Sequence, residues 1–504
     1  MKLIKTALIS VFNKDGLLPI LEELKKLNVK IISTGGTFKY ITDKGFDAIQ
    51  VEDLTNYPSI FGGRVKTLHP VIFGGILSRK EDGNDQKERE SYGIDTIDLV
   101  IVDLYPFSET VQSGAAEKDV IEKIDIGGIS LIRAAAKNFN DVLIVPSKEQ
   151  YSFILDILSK KKGYSDLDDR KLLASQAFSV SSGYDTDIFN YFSNDTNESL
   201  KKSFGSANKL RYGENPHQTA HFYGDLEDAI FQHHGKQLSY NNLLDIDSAM
   251  RLINDFDDKT IAIFKHLNPC GLASRSNLVD AWKDALAGDS VSAFGGIIVT
   301  KGIITKEVAE EMNKIFFEVV LAPGYQADAL DLLKSKKNRI ILQLNSCDFP
   351  KEEIKTSLFG LLTQDRDDHI EKAEELKTAT NVKPTKEQVE DLLFANKIVK
   401  HLKSNALAIV KNKQLIGAGM GQPSRIDGLK QAIEKAMRYG FNLEGAVLAS
   451  DAFFPFSDSV QTAHEAGITA VIQPGGSVRD QDSIDYCNEH GLAMVFTGIR
   501  HFKH

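Results

Sequence analysis

The stretch TALISVFNKDGLLPILEELKKLNVKIISTGGT, residues 6–37, decides the class of fold. Residues 6–11 form a short buried-strand run. Leu17, Ile20, Leu21, Leu24 and Leu27 then recur at helical spacing and make one apolar face. A second strand over 29–33 ends in the turn Thr34-Gly35-Gly36-Thr37, where a short helix begins. Working outward, strands at 99–102 and 142–145 alternate with helices at 117–124 and 128–138. Strands that alternate with helices in this way imply an α/β domain, a parallel sheet covered on both faces.

Further along, a helix is predicted through 172–178, and the polar stretch 194–206 reads as a linker. The alternation then restarts, with strands at 261–264, 296–300, 319–321 and 340–342. A charged segment at 364–390 divides this region from a last group of strands at 406–410, 445–449, 470–472 and 493–496. No short repeat is visible. The expected division is 1–195, 200–365 and 366–504, in keeping with about 150 residues per core.

The whole chain has 504 residues, 42% hydrophobic and 26% charged, with Trp282 its single tryptophan. A net charge of −10 argues against nucleic-acid binding, which needs basic surface, but leaves room for a local basic pocket. The three cysteines, Cys270, Cys347 and Cys487, are odd in number and far apart, so a reducing compartment is expected. The apolar run after Met1 is too short for a signal sequence, and no run approaches the ~20 residues of a membrane helix. The expected location is cytoplasmic.

In the first third, glycines of the Thr34–Thr37 turn allow close backbone approach, and the helix start favours an anion. A second Gly pair, Gly62-Gly63, runs directly into Arg64, Val65, Lys66 and Thr67. It is no Walker loop, since Lys66 follows Val65 rather than glycine. Asp103-Leu104-Tyr105 follows the strand at 99–102, Asp125-Ile126-Gly127-Gly128 opens a helix, and Lys137 lies near that helix's end. Singly, each has an ordinary structural explanation. Together they point to acid–base chemistry on a phosphorylated substrate.

The second constellation is Lys265-His266, after the short strand at 261–264 and before Leu267-Asn268-Pro269-Cys270-Gly271. A histidine can take a proton near neutral pH beside an ammonium that orients an oxygen. Neighbours on a strand point to opposite faces, however, so both can serve one site only if the strand ends or twists there. Other classes fail on their motifs. His369-Ile370-Glu371 lacks the Pro-Cys-x-x-Cys of zinc deaminases, Gly417-Ala418-Gly419-Met420-Gly421-Gln422 misses the last glycine of the dinucleotide fingerprint, and no Gly-x-Ser-x-Gly elbow is present. Zinc, NAD and serine hydrolysis are accordingly not expected.

These segments resemble, in order and spacing, the bifunctional purine biosynthesis family that joins phosphoribosylaminoimidazolecarboxamide (AICAR) formyltransferase to inosine monophosphate (IMP) cyclohydrolase. The resemblance is carried by residues 33–37, 63–70, 104–107, 124–128 and 133–138, then by 210–213, Lys265-His266, Ser404-Asn405, 422–425, 450–456 and Arg500. It implies a domain like methylglyoxal synthase followed by two cytidine-deaminase-like subdomains without zinc. It also implies a homodimer with shared formyltransferase sites, and AICAR, formyl-AICAR and IMP as ligands, with 10-formyltetrahydrofolate as co-substrate; charge and the lack of a long apolar run already speak against a nucleic-acid or membrane partner.

By the same resemblance, Lys66, Tyr105, Asp125 and Lys137 carry ring closure, while Ser10, Lys14, Thr34, Gly35, Gly36, Thr37, Arg64 and Thr67 hold the nucleotide. In formyl transfer His266 is the base, and Lys265 and Asn405 stabilise the oxyanion. Arg211, Tyr212, Gly295, Glu318, Phe453 and Arg500 match nucleotide contacts, and Arg425, Ile426, Asp458, Gly475 and Gly476 match folate contacts. The chain departs from the family pattern at Phe12, Asn13, Phe73, Asp103 and Glu318. A nucleotide sensor would need the glycine turns but not Lys66, Asp125 and Lys137. A folate-binding scaffold would not need Lys265, His266 and Asn405.

Overall fold

The computed structural model describes residues 1–193, 199–205, 207–257, 259–346 and 348–504. The predicted linker therefore lies partly outside the described residues, as does Cys347. Two compact units emerge, Met1–Gly205 and Ser206–His504.

In the first unit, β1 (Thr6–Ser10) is the central strand, buried from Thr6 to Ile9. Helix α1 (Leu17–Lys26) buries Leu17, Ile20, Leu21 and Leu24, the periodic face read from the sequence. The chain returns through β2 (Lys30–Ser33), α2 (Gly35–Asp43) and β3 (Ile49–Gln50). Strand β4 (Leu99–Val102), helix α3 (Gly127–Lys137) and β5 (Leu143–Val145) complete the sheet. Its order is β3-β2-β1-β4-β5, and every pair is parallel. Strand order reverses where β1 meets β4, and the crevice at the carboxyl ends there is where such sheets bind ligands.

The helix expected at 172–178 is far longer, Leu167–Ser193. Leu173, Ala174 and Ala177 are buried, while Ser, Gly and Asp residues carry the helix onward. Local propensity stops early, but packing beside α3 and β5 extends the helix and brings Tyr184 to the loop before α3.

The second unit is built around one twelve-stranded sheet. Helix α4 (Tyr240–Asn254) precedes the hairpin β6 (Thr260–Lys265) and β7 (Asn268–Ser274). Helix α5 (Leu278–Gly288), β8 (Ile297–Thr300), β9 (Val319–Ala322) and β10 (Ile340–Leu344) follow. The pattern then recurs: α6 (Lys386–Val399), the hairpin β11 (Leu407–Lys411) and β12 (Gln414–Gly419), α7 (Arg425–Arg438), β13 (Val447–Ser450), β14 (Ala470–Gln473) and β15 (Ala493–Phe496). In each half an antiparallel hairpin is flanked by an antiparallel strand that leads into parallel ones. The halves meet where β7 pairs antiparallel with β12.

The duplication reaches single residues. Ser239 and Thr385 cap α4 and α6, each in a reciprocal capping box, with Asn242 and Gln388. Asp245 accepts the N–H of Leu267, and Asp391 accepts those of Asn412 and Lys413, so each holds its hairpin turn. Ser239/Thr385, Asp245/Asp391 and His266/Asn412 all stand the same number of positions apart. Ala262 and Phe264 of β6, with Ala408 and Val410 of β11, point into one core shared by both halves. Ile261 and Ile263 enter a core private to the first half, and Leu407 and Ile409 one private to the second. Burial on both faces explains why these strands read as continuous apolar runs.

Candidate active sites

In the first unit the switch-point crevice gathers most of the expected residues. Ser10 ends β1 and its hydroxyl bonds that of Thr34 at 3.0 Å. Thr37 exchanges hydrogen bonds with the backbone of Val11, donating from Oγ1 to the carbonyl at 2.8 Å and accepting the N–H at 3.1 Å. The Gly-rich turn is thereby tied to β1. The Lys14 ammonium donates to the carbonyls of Val11 and Phe12, both at 2.7 Å, and burial lowers its pKa.

Asp103 accepts the N–H groups of Phe12 and Asn13. It thus holds the loop after β1, and burial raises its pKa. A Cβ on Gly35 would stand 3.3 Å from Lys66 Nζ, so the ammonium reaches over the glycine turn. Gly35 has φ 42° and Gly63 φ 95°, a region that favours glycine.

Asp125 accepts from the N–H of Gly128 at 2.6 Å, and its own N–H donates to the Tyr184 hydroxyl at 2.9 Å. Burial raises the Asp125 pKa, opposed by amide donors that include the N–H of Tyr105. Burial, then the Asp125 charge, raises that of Tyr105. Lys123 lies over the rings of both Phe12 and Tyr105, at 5.5 and 5.8 Å. A Cβ on Gly127 would meet the Thr67 hydroxyl at 3.1 Å, which joins the 63–67 loop to the start of α3. Arg64 pairs with Glu122. Lys137, by contrast, is exposed at the other end of α3, about 15 Å along the helix axis from Gly127 at 1.5 Å per residue. The structure does not bring it to the cluster.

In the second unit the expected residues form two groups. The first surrounds the β6–β7 turn. Strand β6 ends at Lys265, which pairs with Asn268 of β7, and His266 (φ 53°) and Leu267 (φ 66°) form a two-residue turn between them. His266 is therefore off the strand and exposed, which removes the opposite-faces constraint. Lys265 Nζ donates to the carbonyl of Phe294 at 2.8 Å, next to Gly295. Glu318 accepts from Lys236 at 2.8 Å and from Asn242 Nδ2 at 3.1 Å. Burial raises its pKa, but these partners and the nearby Arg211 bring it below the ordinary value. Arg211 stacks on Tyr212 at 4.8 Å.

Asp245, missed by sequence reading, faces His266. Burial raises its pKa against the turn amides and the His266 charge. Nothing local in the sequence marks this aspartate, which lies in α4.

The second group lies at the carboxyl ends of β13, β14 and β15. Arg425 donates from Nη1 to Asp451 at 2.7 Å and from Nη2 to Asn405 Oδ1 at 2.9 Å. Asp451 also accepts the N–H of Ala406. The Asn405 amide donates to the carbonyls of Gln422 and Pro423, both at 3.0 Å. Ile426 follows Arg425 in α7, Phe453 lies beyond β13, and Asp458 opens the helix Asp458–Glu465. Gly475 and Gly476 turn after β14 with φ 73° and 99°, and Arg500 follows β15. A Cβ on Gly475 would strike the Phe496 ring.

Both groups stand at the same edge of the sheet, but β6 and β11 are three strand positions apart through β7 and β12. At 4.7–4.9 Å per spacing that is about 14 Å. Among the described residues no hydrogen bond or ion pair joins Lys265 or His266 to Asn405 or Arg425. At the opposite edge, Asn412 and Lys413 help line a cavity of about 570 Å3 with Arg275, Glu387 and Asp391. Asn412 takes the place of His266 there, so that turn has no proton acceptor of histidine's kind.

These features define an α/β enzyme with a switch-point crevice lined by Lys66, Tyr105 and Asp125 on one unit and a lysine–histidine turn on the other. The family described as AICARFT/IMPCHase bienzyme matches residues 135–435, and the MGS-like domain matches residues 16–130. The bifunctional purine biosynthesis protein PurH of Bacteroides thetaiotaomicron is 58% identical over 503 residues, covering 100% of this chain and 99% of that protein. The PurH proteins of Aquifex aeolicus and Caldicellulosiruptor saccharolyticus are 48% and 46% identical, each covering 99% of this chain and 100% of its own. This chain belongs to the AICARFT/IMPCHase bienzyme family. It is a bifunctional enzyme of purine biosynthesis, an AICAR formyltransferase and an IMP cyclohydrolase.

Proposed function

We propose that the formyl donor is 10-formyltetrahydrofolate, that formyl transfer runs at the Lys265–His266 turn, and that ring closure runs at the crevice of the first unit. The observation that carries this is the turn itself, which lifts His266 off the strand while Lys265 stays on it. The AICAR amine attacks the formyl carbon and His266 takes the amine proton. The tetrahedral oxyanion then collapses, and the folate nitrogen leaves with a proton. Lys265 supplies fixed positive charge for the oxyanion. Asn405 donates to two carbonyls here, so to serve the oxyanion it must exchange one of them. Arg211, Tyr212, Gly295, Glu318, Phe453 and Arg500 are assigned to the nucleotide, and Arg425, Ile426, Asp458, Gly475 and Gly476 to the folate.

In ring closure the carboxamide nitrogen of formyl-AICAR attacks the formamide carbon and water leaves. Lys66, Tyr105 and Asp125 are assigned to its proton transfers, with Ser10, Lys14, Thr34, Gly35, Gly36, Thr37, Arg64 and Thr67 around the phosphorylated ribose. The proton-shuttling role given by resemblance to Lys137 has no support from its place at the far end of α3.

A homodimer with shared transferase sites is part of the reading. The separation of β6 from β11 supports it, because a second copy can set its Asn405 group against the first copy's His266. The hairpin of Glu352–Ser357 and Gly360–Asp365 also supports it, since Leu358 and Phe359 are fully exposed at its tip. We assign cyclohydrolase to 1–195 and the transferase to 200–365 and 366–504. A cytoplasmic location accords with the free thiols of Cys270 and Cys487, and no described helix is long and apolar enough to cross a membrane.

The test is incubation with AICAR and 10-formyltetrahydrofolate while following IMP. Formyl-AICAR that accumulates without IMP refutes the cyclohydrolase assignment, and no reaction refutes the whole.

A further inference from the structure

The C-terminal segment is tied down in an unusual way. His501 is 2% exposed and bonds a carboxylate with each ring nitrogen: Nδ1 to Asp367 at 2.6 Å and Nε2 to Glu371 at 2.7 Å. Glu371 is itself buried and accepts from Asn396 of α6 at 2.8 Å. On its other side the tail meets the second transferase group. The N–H of His501 donates to the carbonyl of Asp451 at 3.0 Å, and the N–H of Ser404 donates to the carbonyl of Lys503 at 2.9 Å. The N–H of Lys503 returns a bond to the Ser404 hydroxyl at 3.0 Å. Asp451 fixes Ala406 and Arg425, and Arg425 fixes Asn405.

We infer that His501 is a positioning residue for formyl transfer, clamped between Asp367 and Glu371 so that the tail sets Asn405, Arg425 and the neighbouring Arg500. The inference rests on the assignment of Asn405 and Arg500 to the transferase site. Two carboxylates need two N–H donors, and only the imidazolium has both. The groups facing this clamp are Asp367, Glu371, Lys400 and His369, with the Asn396 amide behind Glu371. Burial alone lowers the His501 pKa, but the bonds and charges of Asp367 and Glu371 outweigh it and push it up to about 9. Its folded pKa exceeds the ordinary 6.5, so the clamp's contribution is full below that value and lost as pH rises through about 9.

The experiment uses the whole 504-residue chain, with formyl transfer followed from neutral to alkaline pH and ring closure measured on supplied formyl-AICAR. Wild type is expected to show an alkaline fall in formyl transfer, and His501→Leu to remove it and to lower kcat by roughly 10- to 100-fold, as a misplacement of about 1 Å can. Ring closure stays at the wild-type rate, and amides at 404–406 and 501–503 exchange faster. Should that variant not fold, Asp367→Asn, which removes the half-exposed arm, must still move the alkaline fall to lower pH. Wild-type kcat and an unmoved alkaline limb in the folded variants overturn the inference. An Asn405→Ala enzyme serves as control. If it is inactive while His501→Leu is normal, this inference alone falls. If it is fully active, the site assignment falls and takes this inference with it.

Discussion

The sharpest perturbation is His266→Asn, because the chain already contains that change in its second half. Asn412 occupies the equivalent turn position with φ 51°, against 53° for His266. Asparagine adopts this left-handed region more readily than most side chains, and Asp245 still holds the N–H of Leu267 at 2.6 Å. The turn should therefore survive, with stability changed by less than about 0.5 kcal/mol. What goes is the proton acceptor, worth about 100- to 10,000-fold in rate, or about 3–5 kcal/mol of barrier. The assay is steady-state release of tetrahydrofolate, run beside closure of supplied formyl-AICAR and a denaturant melt. The expected result is transferase loss of that size, intact ring closure and an unchanged midpoint, and His266→Ala should likewise abolish transfer alone. A His266→Asn enzyme within about threefold of wild-type transfer would refute the base assignment. Parallel loss of both activities would refute two separate sites.

Mixing inactive His266→Asn and Asn405→Ala chains should restore formyl transfer, since in the proposed dimer with shared sites one of the two sites of a mixed pair is whole; no recovery after subunit exchange would place both residues in one chain's site. Burial raises the Asp125 pKa above its ordinary 3.8, so the carboxylate assigned to ring closure is lost at higher pH than for an exposed aspartate. The acid limb of kcat/KM for supplied formyl-AICAR should sit correspondingly high and vanish in Asp125→Asn, and a limb that persists in the variant counts against the assignment. Asp451→Ala strands the buried Arg425 charge and should cost about 3–5 kcal/mol in a urea melt, with loss of folate binding; a change under about 1 kcal/mol would show the pair to be dispensable.

Residues 6–37 were enough for the first unit. Their apolar spacing reports burial directly, and a strand, helix and strand so closely joined can pack only as a parallel pair. The Gly turns, Tyr105 and Asp125 were legible because the ends of such strands are where a crevice forms, and Lys265-His266 was legible as a pair of ionisable groups after an apolar run. The length of the helix Leu167–Ser193 was not, since contacts with α3 and β5, rather than its Ser and Gly residues, sustain it. Nor was the duplication of the second unit visible as a repeat, though the family resemblance implied two like subdomains, because it conserves caps, turn geometry and buried faces rather than residue identity.

Sequence by itself marked which side chains are candidates for the chemistry and roughly where strands end. Only tertiary structure decided their company. It put Asp245 under the His266 turn, left Lys137 a helix length from Asp125, and set three strand positions between His266 and Asn405. Periodicity is a local property of the chain, whereas convergence at a site depends on which strands become neighbours, and that is fixed by burial across the whole sheet.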